Sequence, residues 1–262
     1  MAQNKPVIEN SRIITNTEVM SGMYLIWLNS PQISKSVIPG QFVMVGCGEK
    51  NLLRRPFSVH RVDDVKDNIA LLYSIVGRGT EWLSETKTGK YLSLLGPLGN
   101  GFSISPKSKE ILLVGGGMGI APLTFLAQEA FKKNLSVKLL LGAQSQSSLC
   151  PGYLLPKGIE CITTTEDGSC GRMGLVTVCL GELTASADEV FACGPSPMYR
   201  ALAKEPCLKD KPFQVSLEVR MACGTGICYG CTTKTRNGLK QVCNDGPVFE
   251  LSDVLWDEFV DV

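Results

Sequence analysis

The sequence predicts a multidomain protein: an antiparallel β-barrel over residues 1–104, a parallel α/β sheet over 105–212, and a cysteine-rich segment over 213–262. Three observations predict it. The first hundred residues are short apolar runs separated by turn residues. Near residue 108 the rhythm changes to strand, glycine turn and helix. Four of the eleven cysteines then fall between Cys223 and Cys243, where even spreading would place about one.

The barrel strands are expected at 23–29 (MYLIWLN), 40–47 (GQFVMVGC), 56–62 (PFSVHRV), 69–76 (IALLYSIV) and 91–97 (YLSLLGP). Aliphatic and aromatic residues fill them, and Pro, Gly, Asn and Asp punctuate the gaps. Short strands at this spacing close most readily into a barrel. A helix is expected at 80–89, with Thr80 as its N-cap.

Beyond residue 108, EILLVGGGMGIAPLTFLAQEAFKKN reads as a buried strand, a turn and a helix. Leu123, Leu126, Ala127, Ala130 and Phe131 recur at i, i+3, i+4, i+7 and i+8, which predicts a single buried stripe. Pro122 suits the first turn of that helix. Strands follow at 137–143, 159–165 and 189–195, and their alternation with helices predicts a parallel sheet.

Composition excludes several classes. With 44% hydrophobic and 19% charged residues and a net charge of +1, the chain has no footprint for nucleic acid or a membrane surface. It shows no apolar stretch of signal-peptide or transmembrane type, so a cytoplasmic location with reduced thiols is expected. The odd cysteine count also argues against a disulfide framework. The lone histidine, His60, makes multi-histidine metal sites and a Ser-His-Asp hydrolase poor readings, and a structural role is expected of it.

Gly115, Gly116, Gly117 and Gly119 lie between strand and helix, where backbone N–H groups and the helix dipole can hold a phosphate. Cys193 and Gly194 end another strand; there the cysteine either lines a nucleotide pocket or is a small buried hydrophobe. In the barrel, Arg55 can pair with a diphosphate and Ser58 can bond a polar ring edge, while Gly77, Gly79 and Thr80 open a further helix start.

Cys223, Cys228, Cys231 and Cys243 follow C-x4-C-x2-C with a distant fourth cysteine, the plant-type spacing for a two-iron, two-sulfur cluster. Gly224, Gly226 and Gly230 let the loop curl and point N–H groups at sulfur. Structural zinc is the alternative, although zinc sites usually pair two C-x2–4-C knuckles and only one is clear here. A nucleotide that carries hydride and a cluster that takes single electrons need an intermediary, and a flavin performs both. Hydride transfer between two rings needs alignment, so no acid–base catalytic residue is expected.

In the motifs RPFS (55–58), LYSIVGRGT (72–80), GPLGNGF (96–102), GGGMGIAP (115–122), EDGS (166–169), CGP (193–195) and MACGTGICYGC…VCNDGPVF (221–249), the chain resembles the electron-transfer subunits of dihydroorotate dehydrogenase B, in the ferredoxin–NADP reductase superfamily. The resemblance implies an FAD-binding barrel, an NAD-binding α/β domain and a C-terminal 2Fe–2S segment. It implies that Arg55, Pro56, Phe57, Ser58, Leu72, Tyr73, Ser74, Gly79 and Thr80 hold FAD, and that the four clustered cysteines hold the 2Fe–2S cluster. The implied partner is an FMN-containing subunit that oxidises dihydroorotate, two copies of each in a heterotetramer, with NAD⁺ as acceptor in pyrimidine biosynthesis. Electron-transfer subunits of hydrogenases and of ferredoxin:NADP oxidoreductases are the related alternatives. After the strand at 137–143, QSQSSL offers neither an arginine for a 2′-phosphate nor a carboxylate for a ribose diol, so NAD over NADP rests on the resemblance.

Overall fold

The structure, a computed structural model, describes residues 5–259; residues 1–4 and 260–262, the extremes of the first and third predicted units, lie outside it. Six strands close a barrel: β1 (Val7–Met20), β2 (Met23–Asn29), β3 (Phe42–Val45), β4 (Arg55–Asp63), β5 (Asn68–Ser74) and β6 (Tyr91–Leu98), in the order β1-β2-β5-β4-β3-β6 and antiparallel throughout. Five match the expected strands. β1 had no counterpart in the expectation, because two of its inward-facing positions are polar.

Glu9 and Ser11 are buried there. The Glu9 carboxylate accepts from Ser30 Oγ (2.6 Å) and from the N–H groups of Gln32 and Ile33 (3.2 Å each), which open the short helix α1 (Pro31–Ser34). A carboxylate at a helix start is a favourable use of that charge. The second helix, α2 (Arg78–Ser84), is shorter than expected and begins earlier. Gly77, not Thr80, is its N-cap; Thr80 stands three residues in, and its hydroxyl accepts from the N–H groups of Val76 (2.9 Å) and Gly77 (3.2 Å).

The second unit contains β7 (Glu110–Gly116), α3 (Ile120–Lys132), β8 (Ser136–Ala143), β9 (Glu160–Thr165), β10 (Arg172–Met173), α4 (Thr177–Leu183), β11 (Glu189–Cys193) and α5 (Ser196–Leu202). It continues through β12 (Phe213–Ser216), the hairpin β13 (Thr232–Thr235) and β14 (Gly238–Gln241), and β15 (Val248–Glu250). The seven-stranded sheet runs β10-β9-β8-β7-β11-β12-β15, parallel except for β15. The cysteine-rich stretch is therefore looped out between two strands of this sheet, and Cys231, Val242, Cys243 and Trp256 share one core with Val190, Tyr199 and Phe213.

α3 corrects the single-stripe expectation. Leu123, Leu126, Ala127 and Ala130 are buried against the sheet as expected. A second face carries Phe125, which is 2% exposed and sits in the barrel core. Burying that ring contributes roughly 1.5–3 kcal/mol and fastens the two units together. Among the described residues no helix is long and apolar enough to cross a membrane.

Candidate flavin, nucleotide and iron–sulfur sites

The RPFS stretch opens β4. Its backbone pairs with β3, Pro56 opposite Met44 and Phe57 opposite Val43, which leaves Arg55, Pro56, Phe57 and Ser58 half-buried at one end of the barrel. Arg55 reaches over the first turn of α2: a Cβ on Gly79 would stand 3.0 Å from its Nε, so only glycine allows the guanidinium to lie so close. The first N–H groups of a helix have no partner within it, and beside a guanidinium they form a place for a diphosphate. Phe57 meets Tyr73 edge-on at 5.6 Å between ring centroids, and Tyr24 stacks on Tyr73 at 5.7 Å.

Of the β5 residues, Leu72 and Tyr73 are buried and Ser74 is half-buried. The Tyr73 hydroxyl donates to Asn16 Oδ1 (3.0 Å), and burial pushes its pKa well above that of an ordinary tyrosine. Asn16 in turn donates to Leu83 O (2.8 Å) and Thr86 O (3.1 Å), which ties the end of α2 to the barrel. These groups fit the diphosphate and ring of a flavin nucleotide, and Arg55, Ser58, Ser74 and the start of α2 are the ones that would hold it.

At the carboxyl edge of the parallel sheet lies a cavity of about 480 Å³ lined by Gly116, Gly117, Ala143, Gln144, Glu166 and Pro195, among others. The four turn glycines divide their work. Gly117 has φ +53° and open space where a Cβ would be, so it leaves room in the cavity that it lines; Gly116 lines it too, but a Cβ there would stand 2.9 Å from Pro195 and 3.0 Å from Met198. A Cβ on Gly119 would stand 1.8 Å from Cys193 O and one on Gly115 2.8 Å from Leu141, so these two glycines serve packing and not ligand approach. Cys193 is buried and does not line the cavity; burial pushes its thiol up to about 12. The N–H of Gly194 donates to Tyr199 Oη at 2.9 Å and is thereby engaged.

Glu166 is the one charged residue among those lining the cavity. Its backbone N–H donates to Ala143 O (3.1 Å), which fixes it at the end of β8 although it follows β9. Next to it, Asp167 accepts from the N–H and hydroxyl of Ser169, and those bonds hold its carboxyl below the usual range. Ser169 Oγ accepts from Gln146 N at 2.8 Å, so the loops after β8 and β9 are locked together. Sequence reasoning sought this carboxylate directly after β8; parallel pairing instead delivers it from the neighbouring strand, Ala143 opposite Thr165.

The four cysteines gather in a loop where every sulfur accepts a backbone N–H. Cys223 receives Thr225 N (3.4 Å) and Cys228 N (3.5 Å), Cys228 receives Gly230 N (3.5 Å), Cys231 receives Cys243 N (3.4 Å) and Cys243 receives Gly226 N (3.2 Å). Burial raises the Cys223 thiol, but the N–H groups of Thr225 and Cys228 and the thiol of Cys228 outweigh it and bring it to about 6. Burial and the neighbouring Cys231 push Cys243 up to about 12. Cys223 thus interacts with Cys228, and Cys243 with both Cys231 and Cys223.

Four thiols in one loop, each accepting a backbone N–H, suit a two-iron, two-sulfur core, and Cys223, Cys228, Cys231 and Cys243 are the residues that would hold it. Gly224 and Gly226 adopt φ +72° and +80°, which curls the loop, and a Cβ on Gly224 would strike Met44 of β3 at 2.6 Å.

The iron–sulfur-binding domain of dihydroorotate dehydrogenase B matches residues 218–255, which contain all four cysteines. A dihydroorotate dehydrogenase B (NAD⁺) electron-transfer subunit from Caldanaerobacter subterraneus subsp. tengcongensis is 40% identical over 251 residues, covering 94% of this chain and 98% of the relative. Its counterpart from Desulforamulus reducens is 36% identical over 257 residues, 95% and 98% of the two chains. The chain belongs to the dihydroorotate dehydrogenase B electron-transfer subunit family.

Solved structures agree on the fold. An NADH-dependent reduced ferredoxin–NADP oxidoreductase, described for flavin-based electron bifurcation, superposes with TM-score 0.86 at 29% identity, covering 98% of this chain and 92% of that one. A ferredoxin NADP⁺ reductase from Neisseria gonorrhoeae shares the fold alone, at TM-score 0.61 and 19% identity over 74% of this chain and 87% of that one. Within this electron-transfer subunit, the residues that sequence reasoning did not single out are Asn16, Met44 and Glu166. Only Glu166 carried a signal, since EDGS follows a strand of the α/β unit.

Proposed function

We propose that this chain carries electrons between a partner subunit and NAD⁺, with FAD on the barrel, NAD(H) in the 480 Å³ cavity and a 2Fe–2S cluster on Cys223, Cys228, Cys231 and Cys243. The observation that carries this is the order of the three places. β4, with RPFS, uses one edge for both neighbours: β3, whose Met44 supports the cysteine loop, pairs with it from Arg55 to Ser58, and α3, which the glycine turn opens, bonds to it at His60 and Val62. RPFS thus lies beside the strand that supports the cysteine loop and two residues from the contact with the helix of the glycine turn, which supports a flavin between nucleotide and cluster.

When bound, the flavin exchanges two electrons with a nicotinamide and one at a time with a cluster. The protein's share is positioning: Arg55 and the start of α2 bind the diphosphate, Gly117 lets the nucleotide approach, and Glu166 accepts hydrogen bonds from its ribose diol. That carboxylate repels a 2′-phosphate and so favours NAD over NADP. Backbone N–H groups at every sulfur stabilise thiolates for iron.

The relatives are named electron-transfer subunits of dihydroorotate dehydrogenase B, which supports a catalytic partner subunit that oxidises dihydroorotate; in this reading the partner carries FMN and assembles as two copies of each subunit, in cytoplasmic pyrimidine biosynthesis. Ile227 and Tyr229, 78% and 71% exposed beside the exposed Cys228, give that partner an apolar rim to cover. The likeness to the ferredoxin–NADP oxidoreductase supports a second reading, a subunit serving ferredoxin. Co-purification separates them: recovery of an FMN protein that reduces NAD⁺ with dihydroorotate supports the first, and recovery of a ferredoxin-coupled partner overturns it.

A further inference from the structure

β4 and α3 belong to different units, yet they are bonded along their length. His60, fully buried, lies with Nδ1 3.1 Å from Ala121 O. A carbonyl only accepts, so Nδ1 carries the hydrogen. Gln128 takes both backbone groups of Val62: its Nε2 donates to Val62 O (2.6 Å) and its Oε1 accepts from Val62 N (3.3 Å). Lys132 pairs with Asp64 at 2.6 Å. Residues 60 and 62 of β4 and Asp64 just beyond it thus meet helix residues 121, 128 and 132 in order.

Strand pairing explains why the helix is there. β3 pairs with β4 only from Arg55 to Ser58. Beyond that point Val59 N still donates to Gln41 O (3.1 Å), but the edge groups of Val62 have no strand beside them, and Gln128 of α3 supplies their partners. A register shift between Val59 and Arg61 against β5 makes His60 a bulge residue, and bulges commonly re-aim a side chain. The His60 Nε2 is buried without a partner among the described residues, a cost that an apolar side chain would avoid. What the imidazole supplies is the bond to Ala121.

That bond stands two residues after Ser58 and two residues after Gly119 in their respective elements. We propose that His60, seconded by Gln128, is a positioning residue for hydride transfer: it holds the nucleotide turn at a fixed place against the flavin strand. This rests on the reading of flavin and nucleotide sites given above. In the step concerned, the C–H bond of NADH breaks, a hydride with its electron pair passes to the flavin, and NAD⁺ is left. Its rate falls steeply with misplacement, about a hundredfold for 1 Å.

The test is anaerobic stopped-flow reduction of the flavin-loaded protein by NADH, in wild type, His60→Leu, His60→Asn and Gln128→Leu. The limiting rate should fall about tenfold or more in His60→Leu and Gln128→Leu. The NADH dissociation constant should move less than about threefold, and the long-wavelength absorbance of stacked nicotinamide and flavin should weaken. His60→Asn keeps an N–H donor near the same point and should recover most of the rate. Unchanged limiting rates in both leucine variants, even with lowered melting temperatures, would show a merely structural contact and overturn the proposal. If His60→Leu loses its flavin, Gln128→Leu alone decides. A wild-type flavin that NADH never reduces overturns the underlying nucleotide reading instead.

Discussion

Acid should loosen this subunit through His60, and one substitution should remove the effect. Burial, assisted by the charge of Arg61, lowers the imidazole from 6.5 to about 3 in the folded chain. The folded protein therefore keeps His60 neutral, while the unfolded chain protonates it below 6.5. Between those values the unfolded state binds more protons, so stability is complete above the unfolded value and falls as pH drops toward 3. From about pH 7.5 to about pH 5 the loss is about 2 kcal/mol, most of the limiting slope of ~1.36 kcal/mol per pH unit. Urea unfolding followed by tryptophan fluorescence, in wild type and His60→Asn at both pH values, isolates it. Carboxylate titration and cofactor release occur in both proteins and cancel in the difference of differences. A change below about 0.5 kcal/mol, the scatter of such extrapolations, would refute the reasoning and place a titratable, hydrated imidazole between the two units.

Other outcomes follow from named contacts. Glu166→Gln should reduce the preference for NADH over NADPH about tenfold in flavin reduction, because a charge-assisted bond to the diol is lost and repulsion of a 2′-phosphate disappears; an unchanged ratio would remove Glu166 from the nucleotide site. Gly119→Ala drives a Cβ to within 1.8 Å of Cys193 O, a contact with backbone on both sides, and should cost about 3 kcal/mol in urea unfolding together with NADH-dependent flavin reduction. Cys228→Ser should leave NADH reduction of the flavin intact and abolish electron exchange with the partner; normal partner-linked turnover would take the cluster off the route.

What was legible in the sequence was what is local in the chain. The four cysteines proposed as cluster ligands fall within 21 residues, inside the matched iron–sulfur-binding domain, and one loop brings them together. The barrel strands announced themselves through apolar runs, except β1, whose buried Glu9 and Ser11 satisfy α1 and Ser30 and look like solvent-facing residues in a string of letters. The glycines were legible as a turn but not in their roles. Gly119 answers to a carbonyl 74 positions away, Cys193 O, and nothing in the glycine turn itself reports that contact. Glu166 escaped because the search followed the chain beyond β8, whereas hydrogen bonding across the sheet brings the end of β9 to the same edge. Phe125 fell off the expected stripe because the helix has two cores to serve.

The central claim is that a two-electron nucleotide and a one-electron cluster communicate through a flavin within this one chain. Anaerobic titration of the purified subunit with NADH, followed by visible and electron paramagnetic resonance spectra, tests it directly. The account predicts bleaching of flavin bands together with the paramagnetic signal of a reduced two-iron cluster. A flavin that bleaches while the iron–sulfur absorption stays oxidised, or a colourless protein that contains zinc, would contradict it.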